Sequence, residues 1–145
     1  MRKVENILKI QFDSLSQNES LARSLAASYL MQFNPTVAEL ADVKCAVSEA
    51  VTNCIVHGYR DSVGTVYMTL GALSDRSIKI EIRDKGRGIE DIKQAMQPLF
   101  TTDPENERSG MGFTVMESFT NSLRVISRPG RGTKITMIKK LAPLK

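Results

Sequence analysis

In the stretch SEAVTNCIVHGY, Ser48 to Tyr59, a carboxylate, an amide and an imidazole recur every four residues: Glu49, Asn53 and His57. His57 is the only histidine of the chain. Residues four apart on a helix are neighbours, so these three groups can act together on one substrate. A solvent-facing polar stripe is the plain alternative, but such stripes usually carry Lys, Glu and Arg. Ala46 and Ala50 flank the row and leave room beside it for a ligand.

Two further stretches carry chemistry. DKGRG, Asp84 to Gly88, follows a strand that ends on an acid. Asp84 either initiates a turn, as Asp commonly does, or accepts a hydrogen bond from a buried donor such as an exocyclic amine. Gly86 and Gly88 let a ligand approach the backbone closely. ERSGMGF, Glu107 to Phe113, places two glycines where a loop becomes a helix. Free N–H groups at a helix start favour an anion, and the Arg108 fork suits phosphate. The Walker A pattern is absent, which excludes the P-loop scheme.

The elements that position these groups follow from periodicity and punctuation. Val4 to Phe12 reads as a short strand. SQNE, Ser16 to Glu19, has capping-box spacing and opens a helix to about Phe33, which Asn34-Pro35 ends. TVAE, Thr36 to Glu39, is a second capping box. Its helix reaches His57, and Gly58 is a natural stop. At 100° per residue, Val37, Leu40, Val47, Val51, Cys54 and Ile55 form an apolar stripe to bury, while the Glu49 row lies on a separate stripe. The period then becomes two. Thr65 to Leu70 and Ser77 to Asp84 are strands, Glu90 to Met96 a short helix, Gln97 to Gly112 a long connection, and Phe113 to Phe119 a helix. Leu123 to Ser127 and Thr133 to Lys139 close a hairpin. The expected fold is α+β: one domain over 1–145, with a mixed, mostly antiparallel sheet covered by helices on one face.

Composition narrows the class. A length of 145 residues suits one core, and no apolar run is long enough for a bilayer span. The N-terminus mixes charge into its apolar run, unlike a signal peptide, so a cytoplasmic protein is expected. Cys45 and Cys54 would sit roughly 13 Å apart on one helix, too far to bridge, and the cysteine and histidine pattern argues against zinc. After Glu117 the chain has no acid but carries Arg124, Arg128, Arg131, Lys134, Lys139, Lys140 and Lys145. That run is a solvated basic face or a nucleic-acid surface. Without interleaved aromatics the first is favoured, so neither a nucleic-acid nor a membrane partner is expected.

Together, E-A-x-x-N-x-x-x-H, D-x-G-x-G, G-M-G and the Gly132-Thr133 pair stand in the order of the boxes of the Bergerat-fold ATP-binding domains, which the chain resembles from about Thr36 to Lys139. SQNESLAR, VSEAVTNCIVHGY, QPLFTT and ERSGMGFTVME extend the resemblance nearly end to end, to the anti-sigma F factors of spore-forming bacteria, which are serine kinases. This likeness implies ATP and Mg²⁺ as cofactors. It makes Asn53 the Mg²⁺ ligand, Glu49 the general base, and Asp84 the reader of the adenine amine, with Thr133 helping through water. Gly86 and Gly88 make room for the base, and His57 faces the nucleotide. The lid, about 97–112, contributes Thr101, Thr102, Arg108, Ser109, Gly110, Met111 and Gly112, with Arg108 also stabilising the transferred group. Arg23 contacts protein partners: a sigma factor of RNA polymerase and an anti-anti-sigma protein that supplies the serine. An N-terminal strand without a partner in the core, with the helix after it (1–34), implies a homodimer. The alternatives are a histidine-kinase-type catalytic domain, which needs a phospho-accepting histidine elsewhere, and a non-catalytic ATP-binding module, which needs no base at Glu49.

Overall fold

In the computed structural model, which describes residues 2–97 and 112–144, strand β1 (Val4–Asp13) leads into helices α1 (Ser16–Met31) and α2 (Val37–Asn53). A π-helical turn (Cys54–Tyr59) follows, then strands β2 (Thr65–Leu73) and β3 (Ser77–Asp84). Short helices α3 (Ile92–Ala95) and α4 (Gly112–Ser118) precede the hairpin of β4 (Ser122–Arg128) and β5 (Gly132–Lys140). The strands form one sheet in the order β1-β2-β3-β5-β4. The sheet was expected to be mixed or largely antiparallel, and every pairing among the described residues is antiparallel.

The alternation read in β3 is borne out. Ile78, Ile80 and Ile82 are buried, while Lys79 and Arg83 are exposed. Met68 and Leu70 of β2 and Ile135 and Met137 of β5 complete the inner face, each buried aliphatic side chain contributing about 1.5–3 kcal/mol. Helix α2 packs against α1, α4 and β3, so it is the spine of the helical layer.

Several expectations are corrected by packing. First, β1 does have a partner: it pairs with β2 from Val4↔Leu73 to Asp13↔Thr65, and Leu8, Ile10 and Phe12 pack on the core. It remains an edge strand. Second, Ala46 and Ala50 are fully buried in the core with Ala22 and Ala26 of α1, so their small size serves helix packing rather than a docking space. Val37, placed on the buried stripe, is instead 86% exposed, because it is the first residue of α2 and lies beyond the reach of the sheet.

Third, the two capping boxes part company. At Thr36 the box forms in full: Glu39 N–H donates to Thr36 Oγ1 (3.0 Å) and Thr36 N–H donates to Glu39 Oε1 (2.8 Å). At Ser16 it does not. Leu15 is the cap residue, without a side-chain bond. Glu19, the would-be partner, instead accepts the Ser48 hydroxyl of α2 and lies 3.9 Å from Arg23. A tertiary contact has outcompeted a local one. Fourth, Gly58 does not stop the helix. The α-helix ends at Asn53, and the π turn carries the chain to Arg60, whose φ of 53° breaks it.

Candidate functional site

The site is a corner where the C-terminal end of α2 meets the end of β3. Glu49, Asn53 and His57 are half-buried along this helical run. His57 lies on the π turn, where i→i+5 bonding replaces the regular α-helical spacing.

Asp84 closes β3 and is 1% exposed. Gly86 N–H donates to its Oδ1 at 2.9 Å. No hydrogen-bond partner reaches Oδ2, the one buried side-chain oxygen or nitrogen so placed among the described residues. Burial pushes the Asp84 carboxyl above its ordinary value, and the N–H groups of Gly86 and Thr133 and the Cys54 thiol pull it back only in part. Cys54 itself is buried, and its thiol is pushed well up by that burial and by the neighbouring Asp84 charge. A buried acceptor without a donor costs free energy. The fold holds one here, at the end of a helix that carries a row of polar groups.

The glycines explain how tightly the corner is built. A Cβ on Gly58 would lie 2.7 Å from Asp84 Oδ2, and one on Gly86 would lie 2.1 Å from the Gly58 carbonyl oxygen. The sequence reading gave Gly86 and Gly88 to an approaching ligand. In the structure, the protein's own backbone fills the space beside them, since a Cβ at Gly88 would meet Arg128 O at 2.1 Å. Gly58, read as a helix stop, is the residue that lets helix and turn touch. The contact is fastened by Arg87, whose N–H donates to Gly58 O (2.9 Å) and whose Nε donates to His57 O (2.8 Å).

Thr133 is the register partner of Asp84 across β3 and β5 and is buried. Its hydroxyl lies 2.8 Å from Ser127 Oγ. Ser127 also donates to Gly132 O (3.0 Å) and accepts Ile89 N–H (2.8 Å). With the Ser127 proton so used, Thr133 is the donor between the two hydroxyls, which leaves its oxygen as an acceptor for water at the site. Ser127 was not singled out in the sequence, and Cys54 was read only as an apolar-stripe residue too far from Cys45 to bridge. Nothing in their spacing marks their part at the site, since each shares its face with apolar residues, Ser127 with Leu123 and Val125 and Cys54 with Val47 and Val51.

Gly112 opens α4, which packs against α2. Thr101, Thr102, Arg108, Ser109, Gly110 and Met111 lie outside the described residues. Arg23 sits apart on α1, half-exposed, with Nη2 3.4 Å from Ser20 Oγ. The basic C-terminal run is partly spent internally: Lys139 bonds Asp42 of α2 at 2.9 Å, and Lys134 lies 3.7 Å from Glu81. Among the described residues no helix is long and apolar enough to cross a membrane.

The donor set fits an adenine nucleotide. An amine needs a buried acceptor, which Asp84 Oδ2 supplies. A hard cation between phosphates needs few protein ligands, mostly oxygens, and the Asn53 side chain offers one.

The family model described as the histidine kinase-like ATPase domain matches residues 12–139. The anti-sigma F factor of Thermoanaerobacter sp. (strain X514) is 54% identical over 135 residues, 92% of this chain and 93% of that protein. The anti-sigma F factor of Bacillus licheniformis is 50% identical over 143 residues, 98% of this chain and 97% of that protein. A crystal structure of the RsbU and RsbW domains of a Mycobacterium tuberculosis protein superposes with a TM-score of 0.70, covering 97% of this chain and 34% of that one. At 19% identity that likeness shows the fold alone. The α+β architecture is thus of the Bergerat type, and the chain belongs to the anti-sigma F factor family, within the histidine kinase-like ATPase domains.

Proposed function

We propose that this protein is an ATP-dependent serine kinase that holds a sporulation sigma factor away from RNA polymerase and phosphorylates the anti-anti-sigma protein that would release it. The observation that carries the nucleotide part is the buried, unpartnered Asp84 Oδ2 at the end of the helix bearing Glu49 and Asn53. The relatives' name, anti-sigma F factor, supports a sigma factor as partner.

In this reading Asp84 accepts the adenine amine, and Thr133 steadies the base through a water. Asn53 offers its oxygen to Mg²⁺, and His57 faces the nucleotide. ATP, its charge neutralised by Mg²⁺, supplies the phosphoryl group. Glu49 takes the proton from the partner's serine hydroxyl as that oxygen becomes phosphorylated, and the remaining diphosphate leaves. Phosphoryl transfer asks for positioning, charge neutralisation and a base, and the two ends of the corner supply them. Arg108, with Thr101, Thr102, Ser109, Gly110, Met111 and Gly112, completes the phosphate clamp. Arg23 meets the protein partners from α1. The exposed edge of β1, with Val4 and Ile7 each 53% exposed, supports a homodimer through this strand and α1. The whole switch operates in the cytoplasm.

Incubation with labelled ATP and a serine-bearing anti-anti-sigma partner tests the reading. Label on the partner's serine is the expected result. Label on His57 would favour a histidine-kinase chemistry, and bound ATP without transfer would reduce the protein to a binding module.

A further inference from the structure

Tyr59 ends the π turn and takes no part in the chemistry assigned above. We propose that it is a positioning residue for base recognition: its phenol sets the peptide that follows Asp84, and so aims the carboxyl at the adenine amine. This deepens the ATP reading and rests on it.

Three consecutive residues of the π turn each hold the Asp84–Gly88 segment. His57 O accepts Arg87 Nε at 2.8 Å, Gly58 O accepts Arg87 N–H at 2.9 Å, and the Tyr59 hydroxyl accepts Lys85 N–H at 2.7 Å. On the side of the turn the first two are backbone carbonyls. The third is a side chain, and it acts nearest to Asp84. Lys85 N–H belongs to the planar peptide unit that starts at the Asp84 carbonyl. Fixing that plane fixes the backbone torsion of Asp84, and with it the direction of its Cα–Cβ bond.

The phenol is itself held. It donates to Thr65 O at 2.5 Å, so it ties the π turn both to the start of β2 and to the residue that follows β3. Its ring occupies the space where Gly64 has no side chain: a Cβ there would lie 2.2 Å from Tyr59 Cε1. Asp84 Oδ1 is fixed separately by Gly86 N–H. The unpartnered Oδ2 is therefore aimed from two sides, by the Gly86 amide, the Cys54 thiol and the Thr133 N–H at the carboxyl and by the Tyr59 hydroxyl on the peptide. A hydroxyl that merely stiffened the fold would weaken every nucleotide alike. One that aims Oδ2 weakens only the nucleotide that offers an amine.

The test compares Tyr59→Phe with the parent protein by calorimetric titration of Mg·ATP and of Mg·inosine triphosphate, which carries an oxygen in place of the amine. The ring and its packing stay, and only the hydroxyl goes. The expected result is an ATP affinity lower by about tenfold, the scale of one lost hydrogen bond, with inosine triphosphate affinity within about twofold. Gly64→Ala, which displaces the ring while keeping the hydroxyl, should lower the same ATP preference. Equal loss for both nucleotides, or no loss for either, would overturn the positioning role while leaving the ATP reading standing. A parent protein that binds the two nucleotides equally would overturn the reading beneath it.

Discussion

Helix α2 has two ends, each with a carboxylate, and the two are opposites. At the N-terminal end Glu39 is fully used. Burial pushes it up, but Thr36 and Ala142 N–H groups and the Lys139 charge outweigh that and hold it below the ordinary glutamate value. Ala142 N–H reaches Glu39 Oε2 at 2.7 Å, so the cap also pins the chain after β5. At the C-terminal end Asp84 is raised by burial and keeps one oxygen without a donor. The helix between them changes character in step, from a regular capped start to a π turn. One end is satisfied and serves stability. The other is left wanting, and that want is what a ligand can supply.

The contrast can be broken most severely through catalysis. Glu49→Ala should lower phosphoryl transfer by about 10²–10⁴-fold, the scale of general base catalysis, with Mg·ATP affinity nearly unchanged in a titration. Equal loss of transfer and affinity would remove Glu49 from the role of base. Next, Gly86→Ala drives a Cβ onto the Gly58 backbone. The cost should be about 1–3 kcal/mol of stability in thermal melts, accompanied by weaker ATP binding. An unchanged melt would mean the corner yields easily. Thr36→Ala at the opposite end should cost about 1 kcal/mol and leave ATP binding alone. Loss of binding there would show that the two ends are not separate.

Much of this contrast was legible in advance, and the reasons for the rest are local. TVAE announced a capping box because both partners lie within four residues, and the tertiary contact from Ala142 N–H takes the other carboxylate oxygen of Glu39. SQNE has the same spacing, but Glu19 meets Ser48 of α2, a contact no spacing reveals. The π turn was invisible because CIVHGY reads as ordinary helix. Within it Gly58 lies against Asp84, a contact between distant segments that local sequence does not show. The acid itself was readable from its position before a glycine turn, as either a turn initiator or an acceptor. Its orphaned oxygen was not, since Oδ2 faces Gly58 of the π turn, which has no side chain to donate.

Acid titration gives the smallest and most discriminating effect. Glu39 is lowered in the fold, so its charged form stabilises above its ordinary value of 4.5, and that support is lost as pH falls through the lower folded value. Asp84 is raised, so its charge burdens the fold at neutral pH, a burden relieved as pH falls through the raised value and gone below 3.8. In pH-dependent melts without nucleotide, Glu39→Gln should destabilise near neutral pH and converge on the parent only below 4.5. Asp84→Asn should stabilise near neutral pH and converge on the parent as the acid range is entered. Opposite slopes would remove the distinction between the two acids.

The central claim is that the unpartnered oxygen of Asp84 receives the adenine amine. Titration of Mg·ATP into the parent protein and into Asp84→Asn tests it most directly, with inosine triphosphate as control. The expected result is tight ATP binding to the parent, a loss of about tenfold or more in the variant, and an inosine triphosphate affinity that does not fall with it. Equal ATP binding by both proteins would contradict the claim.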